Sequence, residues 1–227
     1  LQILDYAILV ISGSEGIQSH TETLWKLLQK YKIPSFIFVN KMDISKFSET
    51  YIMNSIKRRF SDGCINFHTD RNSEEFLENL SLYDENLLQE YLETGNLSTE
   101  TISRSISERN FFPCFFSSAL KLDGIDEFID ILEKYTCEKA YGSNFGARIF
   151  KISEDEQGNR LTHLKVTGGN LRVKTTINYN FNGNLIEEKI NQIRIYSGKK
   201  YQTAESVDSG TVCAVTGLTK TYSGEGL

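Results

Sequence analysis

The chain has 227 residues, of which 39% are hydrophobic, 24% charged and 11% aromatic, and its formal net charge is −5. This apolar content is enough to bury a core, which excludes wholesale disorder, and the longest apolar run, residues 6–11, is far too short for a membrane helix. Four widely separated cysteines without a CxxC pair predict buried thiols in a reducing cytosol, with no metal site and no disulfide-linked partner. Because the first residue is Leu1 rather than Met, we expect a cytoplasmic piece of a longer protein.

The first half of the chain alternates strand and helix signals. Residues 5–12 and 35–39 are continuous apolar runs, typical of strands that are buried on both faces. Between them, residues 18–31 place apolar side chains at the three-and-four spacing of an amphipathic helix. A strand, a helix and a strand at this spacing predict a parallel crossover. A third buried strand is expected to open at Pro113, followed by a helix over 124–135.

Residues 44–111 have a different character and are predicted to form a helical insert. Its apolar spacing indicates helices over 48–60, 74–80, 84–93 and 99–108, with a break at Gly95-Asn96. Most of these segments are acidic, which is typical of solvated helix faces. The predicted first domain, residues 1–144, is therefore an α/β domain with a parallel sheet and this insert.

The chain changes character after residues 141–144, a short polar linker candidate. Frequent glycine pairs break residues 145–227 into short alternating segments, and Asn182-Gly183 between two of them is a strong hairpin signal. This spacing predicts an all-β domain, either a small closed barrel or a sandwich. The formal charge is −8 over residues 1–144 and +3 over residues 145–227. On charge alone we interpret this difference as ordinary surface variation, and a second domain that tolerates a polyanion better is the alternative.

The first motif that carries chemistry is Asn40-Lys41-Met42-Asp43, at the end of the second strand. The ends of parallel strands form the rim at which such folds bind ligands. A carboxylate such as Asp43 can accept hydrogen bonds from N1–H and the exocyclic amine of guanine, a pair of donors that adenine lacks. The stem of Lys41 can lie along the base plane, and Asn40 can tie neighbouring loops together.

The second motif is Ser118-Ala119-Leu120, at the end of the third strand. Small residues there let backbone N–H groups approach a carbonyl such as guanine O6. Each motif is weak alone, but both follow buried strands and a helix follows the second. The pair therefore predicts a guanine-nucleotide site formed by Asn40, Lys41, Asp43, Ser118, Ala119 and Leu120.

Together these segments resemble the translational GTPases, specifically the elongation factor G group. The two motifs are similar to the family's base-recognition motifs, and the resemblance runs over nearly the full chain. It also rests on the segments Leu4-Asp5-Tyr6-Ala7-Ile8-Leu9-Val10, Glu15-Gly16-Ile17-Gln18, Asn86-Leu87-Leu88-Gln89-Glu90-Tyr91-Leu92, Phe150-Lys151-Ile152 and Gly210-Thr211-Val212-Cys213-Ala214-Val215. Within the group, Pro113, Ser118-Ala119 and Gly124-Ile125-Asp126 are most similar to the tetracycline ribosomal protection proteins.

The resemblance implies the second part of a P-loop-type G domain followed by a domain 2 β-barrel. It implies GTP or GDP and Mg²⁺ as cofactors of the intact parent, and the ribosome, through its RNA and proteins, as partner. The 227 residues contain no GxxxxGK[ST] motif, and His20, His68 and His163 match no catalytic position of the family. We therefore expect no catalytic residue and no GTP hydrolysis in this piece by itself.

Two alternatives to a GTPase stay open from the sequence. Residues 145–227 could serve as a non-catalytic ribosome- or RNA-binding module, with the first half as its scaffold. The chain could also belong to a different α/β nucleotide-binding protein in which Asn-Lys-Met-Asp occurs by chance. Translocation and tetracycline protection are not distinguished by these residues, and neither is the oligomeric state.

Overall fold

A computed structural model describes residue 1 and residues 3–227, which separate into two compact units. Unit 1 comprises Leu1 with Ile3–Glu138, and unit 2 comprises Lys139–Leu227. Among the described residues, no helix combines the length and the apolar character needed to cross a membrane.

Unit 1 contains four strands and six α-helices. The strands are β1 (Ala7–Ser12), β2 (Ser35–Asn40), β3 (Cys64–Asn66) and β4 (Phe112–Phe116). The helices are α1 (Ser19–Lys30), α2 (Glu49–Arg59), α3 (Glu74–Ser81), α4 (Glu85–Thr94), α5 (Thr99–Glu108) and α6 (Ile125–Tyr135). Two short 3₁₀ turns, Met42–Ile44 and Ala119–Lys121, follow β2 and β4.

The four strands form one parallel sheet in the order β1-β2-β4-β3. In the two inner strands, Val39 pairs with Phe116, so the carboxyl ends of β2 and β4 lie side by side. β1 lies at one edge of the sheet, where its Ile8 and Val10 are exposed. The parallel crossover and the α/β class expected from the sequence are confirmed.

Side-chain alternation along β2 divides the core of unit 1 between the two faces of the sheet. Phe36 and Phe38 belong to one hydrophobic cluster with residues of α3, α4, α5 and α6, whereas Ile37 and Val39 belong to a second cluster with residues of α1 and α2. Successive side chains of a strand point to opposite faces, which is why a continuous apolar run is needed here. Helices on both faces of a parallel sheet complete the layered architecture.

Four of the six helices of unit 1 begin at a residue whose side chain caps them. Ser48, Ser73, Asp84 and Ser98 each accept a hydrogen bond from a backbone N–H in the first turn of the following helix. These bonds satisfy donors that a helix start otherwise leaves without a partner. α4 ends at Gly95 in the left-handed conformation, at the predicted break.

Three details differ from the sequence-based expectation. The segment 44–111 is not purely helical, because its residues 64–66 form β3 and pair with β4. β4 begins at Phe112, one residue before Pro113. Of the four cysteines, which are all free, Cys137 is exposed rather than buried, because it follows the end of α6.

Unit 2 is built from antiparallel strands. They are β5 (Gly146–Glu154), β6 (Arg160–Gly168), β7 (Asn170–Arg172), β8 (Thr176–Phe181), β9 (Asn184–Lys189), β10 (Gln192–Ser197), β11 (Lys200–Ala204), β12 (Ser206–Asp208) and β13 (Val212–Thr216). Five of them form a sheet in the order β11-β10-β13-β6-β5, and two ribbons, β12-β7 and β8-β9, accompany it.

The predicted hairpin at Asn182-Gly183 joins β8 to β9, and both turn residues have positive φ. A two-residue turn of this kind matches the natural twist of paired strands. One hydrophobic cluster draws buried residues from the sheet and from both ribbons, including Ile149, Leu171 and Ile177. The all-β class of this unit is confirmed, and closure of its strands into a barrel stays a prediction.

Candidate nucleotide-binding site

The two motifs lie next to each other because the strands that precede them are neighbours. Asn40 is the last residue of β2, and Ser118 follows β4 by two positions. The backbone continues the strand pairing, since Ser117 N–H donates to the Val39 carbonyl at 2.9 Å and Met42 N–H donates to the Ser117 carbonyl at 3.1 Å. The two loops are therefore joined by main-chain hydrogen bonds before any side chain is considered.

Asn40 fastens both loops with its side chain. Its Oδ1 accepts a hydrogen bond from Lys41 N–H at 2.7 Å and a second from Ala119 N–H at 2.9 Å. Its backbone carbonyl accepts from Gly13 N–H at 2.7 Å, in the loop after β1. One residue thus connects the ends of three neighbouring strands, which agrees with the loop-tying role that the sequence indicated.

Lys41 adopts the left-handed conformation, with φ 64° and ψ 36°. Residues other than glycine rarely occupy this region, because the Cβ atom crowds the backbone. The hydrogen bond to Asn40 Oδ1 holds its N–H in this geometry, and the side chain itself is exposed. A left-handed residue between β2 and the 3₁₀ turn redirects the chain so that Asp43 comes back towards the second motif.

Asp43 and Ser118 form the direct link between the two motifs. The Ser118 hydroxyl donates to Asp43 Oδ1 at 2.7 Å, and the Lys121 ammonium lies 3.6 Å from Asp43 Oδ2. The side chain of Asp43 is only 13% exposed. The Ser118 hydrogen bond, and after it the charge of Lys121, lowers the pKa of the Asp43 carboxyl against the opposing effect of desolvation.

The carboxylate is thus prepared to accept hydrogen bonds from a ligand. A carboxylate accepts only, and its two oxygens offer about four lone-pair directions, more than Ser118 and Lys121 engage. Two parallel N–H donors on one planar edge would complete its hydrogen bonding. Guanine presents such an edge.

The remaining members of the predicted site contribute differently. The side chain of Leu120 is almost fully exposed, so its part in a site would come from its backbone. Ala119 N–H, one of the backbone donors expected to face a base carbonyl, is held by Asn40 Oδ1 instead. The structure therefore brings Asn40, Asp43, Ser118 and Ala119 together, whereas the side chains of Lys41 and Leu120 point to solvent.

Sequence reasoning missed two residues that shape this site. Lys121 directly follows the second motif in the sequence. A cation at that position was the signal that could have indicated a partner for Asp43. Gly13 lies so close to the first motif that an added Cβ would be 2.7 Å from Met42 Sδ and 3.2 Å from the Asn40 carbonyl oxygen. Only the folded backbone shows that approach.

The family whose profile matches the chain is the elongation factor Tu GTP binding domain, over residues 1–138. Elongation factor G of Mycoplasma pneumoniae is 25% identical over 100% of this chain and 42% of its own length. The tetracycline resistance protein TetP of Clostridium perfringens is 27% identical over 99% of this chain and 38% of its own length. The chain therefore spans about two-fifths of the length of these curated relatives.

A solved structure shows the same fold. A crystal structure of a protein from Thermus thermophilus superposes with a TM-score of 0.80 at 16% identity, covering 99% of this chain and 40% of that one. At this identity the match concerns the fold alone, and it includes the all-β unit as well as the parallel sheet.

Proposed function

The chain belongs to the elongation factor Tu GTP-binding domain family, and we propose that it recognises the base of GTP or GDP within a translational GTPase of the elongation factor G or tetracycline-protection type. The two curated relatives described above carry these two names, and both lie within the proposal.

The observation that carries the proposal is the hydrogen bond from Ser118 to Asp43. It orients the carboxylate, lowers its pKa and leaves acceptor directions for the N1–H and exocyclic amine of guanine. Adenine offers no such pair of donors on this edge, so the same group rejects adenine nucleotides. The proposed role of Asn40 is to hold both loops at their observed spacing.

The other site residues have supporting roles in this proposal. The stem of Lys41 would lie along the base plane, which its exposed position permits. Ser118 and Ala119 would border the base from the opposite side, and the Leu120 backbone offers the next N–H along the chain.

We further propose that the whole protein couples GTP hydrolysis to an action on the ribosome, with Mg²⁺ beside the phosphates. The described residues contain no group of three or more His, Cys, Asp or Glu side chains that would hold a metal ion. Hydrolysis depends on positioning and charge stabilisation at the phosphates, so we propose that the 227 residues alone do not hydrolyse GTP.

The test exchanges the hydrogen-bonding character of residue 43 in the full-length protein. Asp43→Asn replaces one acceptor by a donor, so affinity should fall for GDP and rise for xanthosine diphosphate, whose position 2 carries a carbonyl. Competition against a fluorescent guanine nucleotide measures both affinities. Asp126→Asn, an exposed aspartate in the first turn of α6, is the matched control and should leave them unchanged.

If Asp43→Asn binds GDP as tightly as the parent protein, residue 43 does not take part in base recognition. Equal losses for both nucleotides, together with a lower melting temperature, would indicate damage to the loops. Lys121→Ala leaves the Ser118 hydrogen bond to Asp43 in place. Repeating the competition with this variant would then show whether the charge beside Asp43 contributes to nucleotide affinity.

A further inference from the structure

Unit 2 carries a row of ring side chains across one face of its five-stranded sheet. The row runs Phe150, His163, Tyr196, Tyr201, and neighbouring ring centroids are 6.1, 6.0 and 5.4 Å apart. These residues come from β5, β6, β10 and β11, so the row spans both edges of the sheet. It therefore crosses the strands rather than following one of them.

The strand that lies beneath the middle of the row contributes a small residue there. β13 lies between β6 and β10, and its Ala214 pairs with His163 on one side and with Arg194 on the other. Because a methyl group projects little from the sheet, the His163 and Tyr196 rings approach each other above it. The face presents a nearly continuous band of rings.

Two rings of the row are held in place by polar partners. The Arg194 guanidinium lies 4.5 Å from the Tyr201 ring centroid and is itself paired with Asp155 at 3.0 Å. A guanidinium at this distance interacts favourably with the π-face of the Tyr201 ring. His163 Nε2 and the Ser153 hydroxyl are 2.7 Å apart, and burial, with a smaller effect of Lys151, lowers the pKa of His163.

The row remains open to solvent and has cations beside it. Phe150, Tyr196 and Tyr201 are 36%, 37% and 44% exposed. Lys151 pairs across from His163 on β5, Lys199 lies in the turn between β10 and β11, and Lys200 is the first residue of β11, all three exposed. Asp155, an acidic group close to the row, is already paired with Arg194. This combination of rings and lysines matches a ligand that carries flat bases on an anionic backbone.

We propose that this aromatic row is a stacking surface for the unpaired bases of single-stranded RNA. Sheets that display aromatic side chains stack two or three bases in known RNA-binding modules. Stacking is tolerant of sequence because every base has a π-face, and the lysines would contact phosphates. The inference rests on the proposed function only for the source of the RNA, since the surface uses no residue of the nucleotide-binding site.

Two other roles for the row are less consistent with its features. Rings that serve only to stabilise the sheet gain most when they are covered, whereas three of these keep about a third or more of their surface exposed. Protein interfaces are depleted of lysine relative to the rest of the surface, whereas here lysines lie at both ends of the row. Both roles are outcomes of the experiment below.

The experiment uses the 227-residue chain and a short fluorescein-labelled oligouridylate, with binding followed by fluorescence anisotropy. Tyr196→Leu and Tyr201→Leu keep apolar bulk but remove the ring, and each should weaken binding about tenfold or more. Tyr196→Phe and Tyr201→Phe keep the ring and should bind like the parent chain. Tyr222→Leu, an exposed tyrosine outside the row, is the matched control.

Four further measurements decide between the outcomes. Lys199→Ala should reduce the slope of log affinity against log salt by about one, as expected for one lost phosphate contact. Binding of a duplex RNA as tight as that of the single strand, or unchanged affinity in both Leu variants, would overturn the proposal. Circular dichroism of each variant confirms its fold, and GDP competition in the full-length Tyr201→Leu protein, expected to be unaffected, separates this surface from the proposed function.

Discussion

Ser118 donates its hydroxyl to Asp43 at 2.7 Å although 75 positions separate the two residues in the chain. The bond exists because β2 and β4 are adjacent in a parallel sheet and end at the same rim. It makes one site out of two motifs that follow different strands. Ser118, a residue of the second motif, therefore lowers the pKa of the Asp43 carboxyl in the first.

The first prediction concerns this lowering of the pKa in the full-length protein. Ser118→Ala removes the largest cause of the lowered Asp43 pKa, so the pKa of the carboxyl should rise. Guanine recognition requires the ionised form, which is lost as the pH falls through that pKa. GDP affinity is measured from pH 8 downwards, towards the pH near 4 at which unperturbed carboxyls titrate. It should begin to fall at a higher pH in Ser118→Ala than in the parent protein.

Ser107→Ala is the matched control for this titration, because its hydroxyl bonds only within α5, to the Arg104 carbonyl. Its pH profile of GDP affinity should overlay that of the parent protein. Identical profiles for Ser118→Ala and the parent would mean that Ser118 does not set the ionisation of Asp43.

The second prediction concerns the acceptor oxygen of Asn40. Asn40→Ala leaves Lys41 N–H and Ala119 N–H without their common partner, which should lower the free energy of unfolding by about 1 kcal/mol, the lower end for a lost acceptor near solvent. Asn40→Asp keeps an acceptor in the same place and should retain more of the stability. Urea denaturation of both variants, with an unchanged m-value, measures the difference.

A loss of stability that is the same in Asn40→Ala and Asn40→Asp would contradict the acceptor role. The side-chain amide nitrogen, which both substitutions remove, would then be the stabilising group.

The third prediction concerns Gly217, directly after β13. Its φ is 109°, and an added Cβ would lie 2.0 Å from the Lys189 carbonyl oxygen at the end of β9. Gly217→Ala should therefore destabilise unit 2 by clearly more than the roughly 1–2 kcal/mol that a left-handed backbone costs other residues. Thermal unfolding followed by circular dichroism measures the effect.

Gly158→Ala separates backbone strain from the clash. Gly158 also has positive φ, at 79°, but an added Cβ there would meet nothing within 4 Å. Equal destabilisation by the two substitutions would show that the close approach of Gly217 to Lys189 does not matter for stability.

Much of the fold of unit 1 could be predicted because local signals agreed with one another. Continuous apolar runs marked β1, β2 and β4, and apolar residues at helical spacing marked the helices. β3 was missed because three residues are too few to show a periodicity. That strand is defined by its pairing with β4, an interaction that only the folded chain provides.

The proximity of the two motifs could be predicted from the sequence, but the hydrogen bonds between them could not. Adjacent parallel strands place Asn40 and Ser118 at one rim, and this follows from the order of elements. The particular partners do not, because Asn40 Oδ1 reaches Ala119 N–H across 79 positions and Lys41 must adopt a left-handed backbone for Asp43 to approach Ser118. The ring row was missed for a similar reason, since its members come from four strands.

The exposed edge of unit 1 has a practical consequence. β1 offers one row of backbone donors and acceptors along its outer side, where the described residues include no pairing strand, and it adds the apolar side chains of Ile8 and Val10. An open, apolar strand edge is a template on which another chain can pair. We therefore expect concentrated solutions of these 227 residues to self-associate through β1, and the binding measurements should use dilute protein.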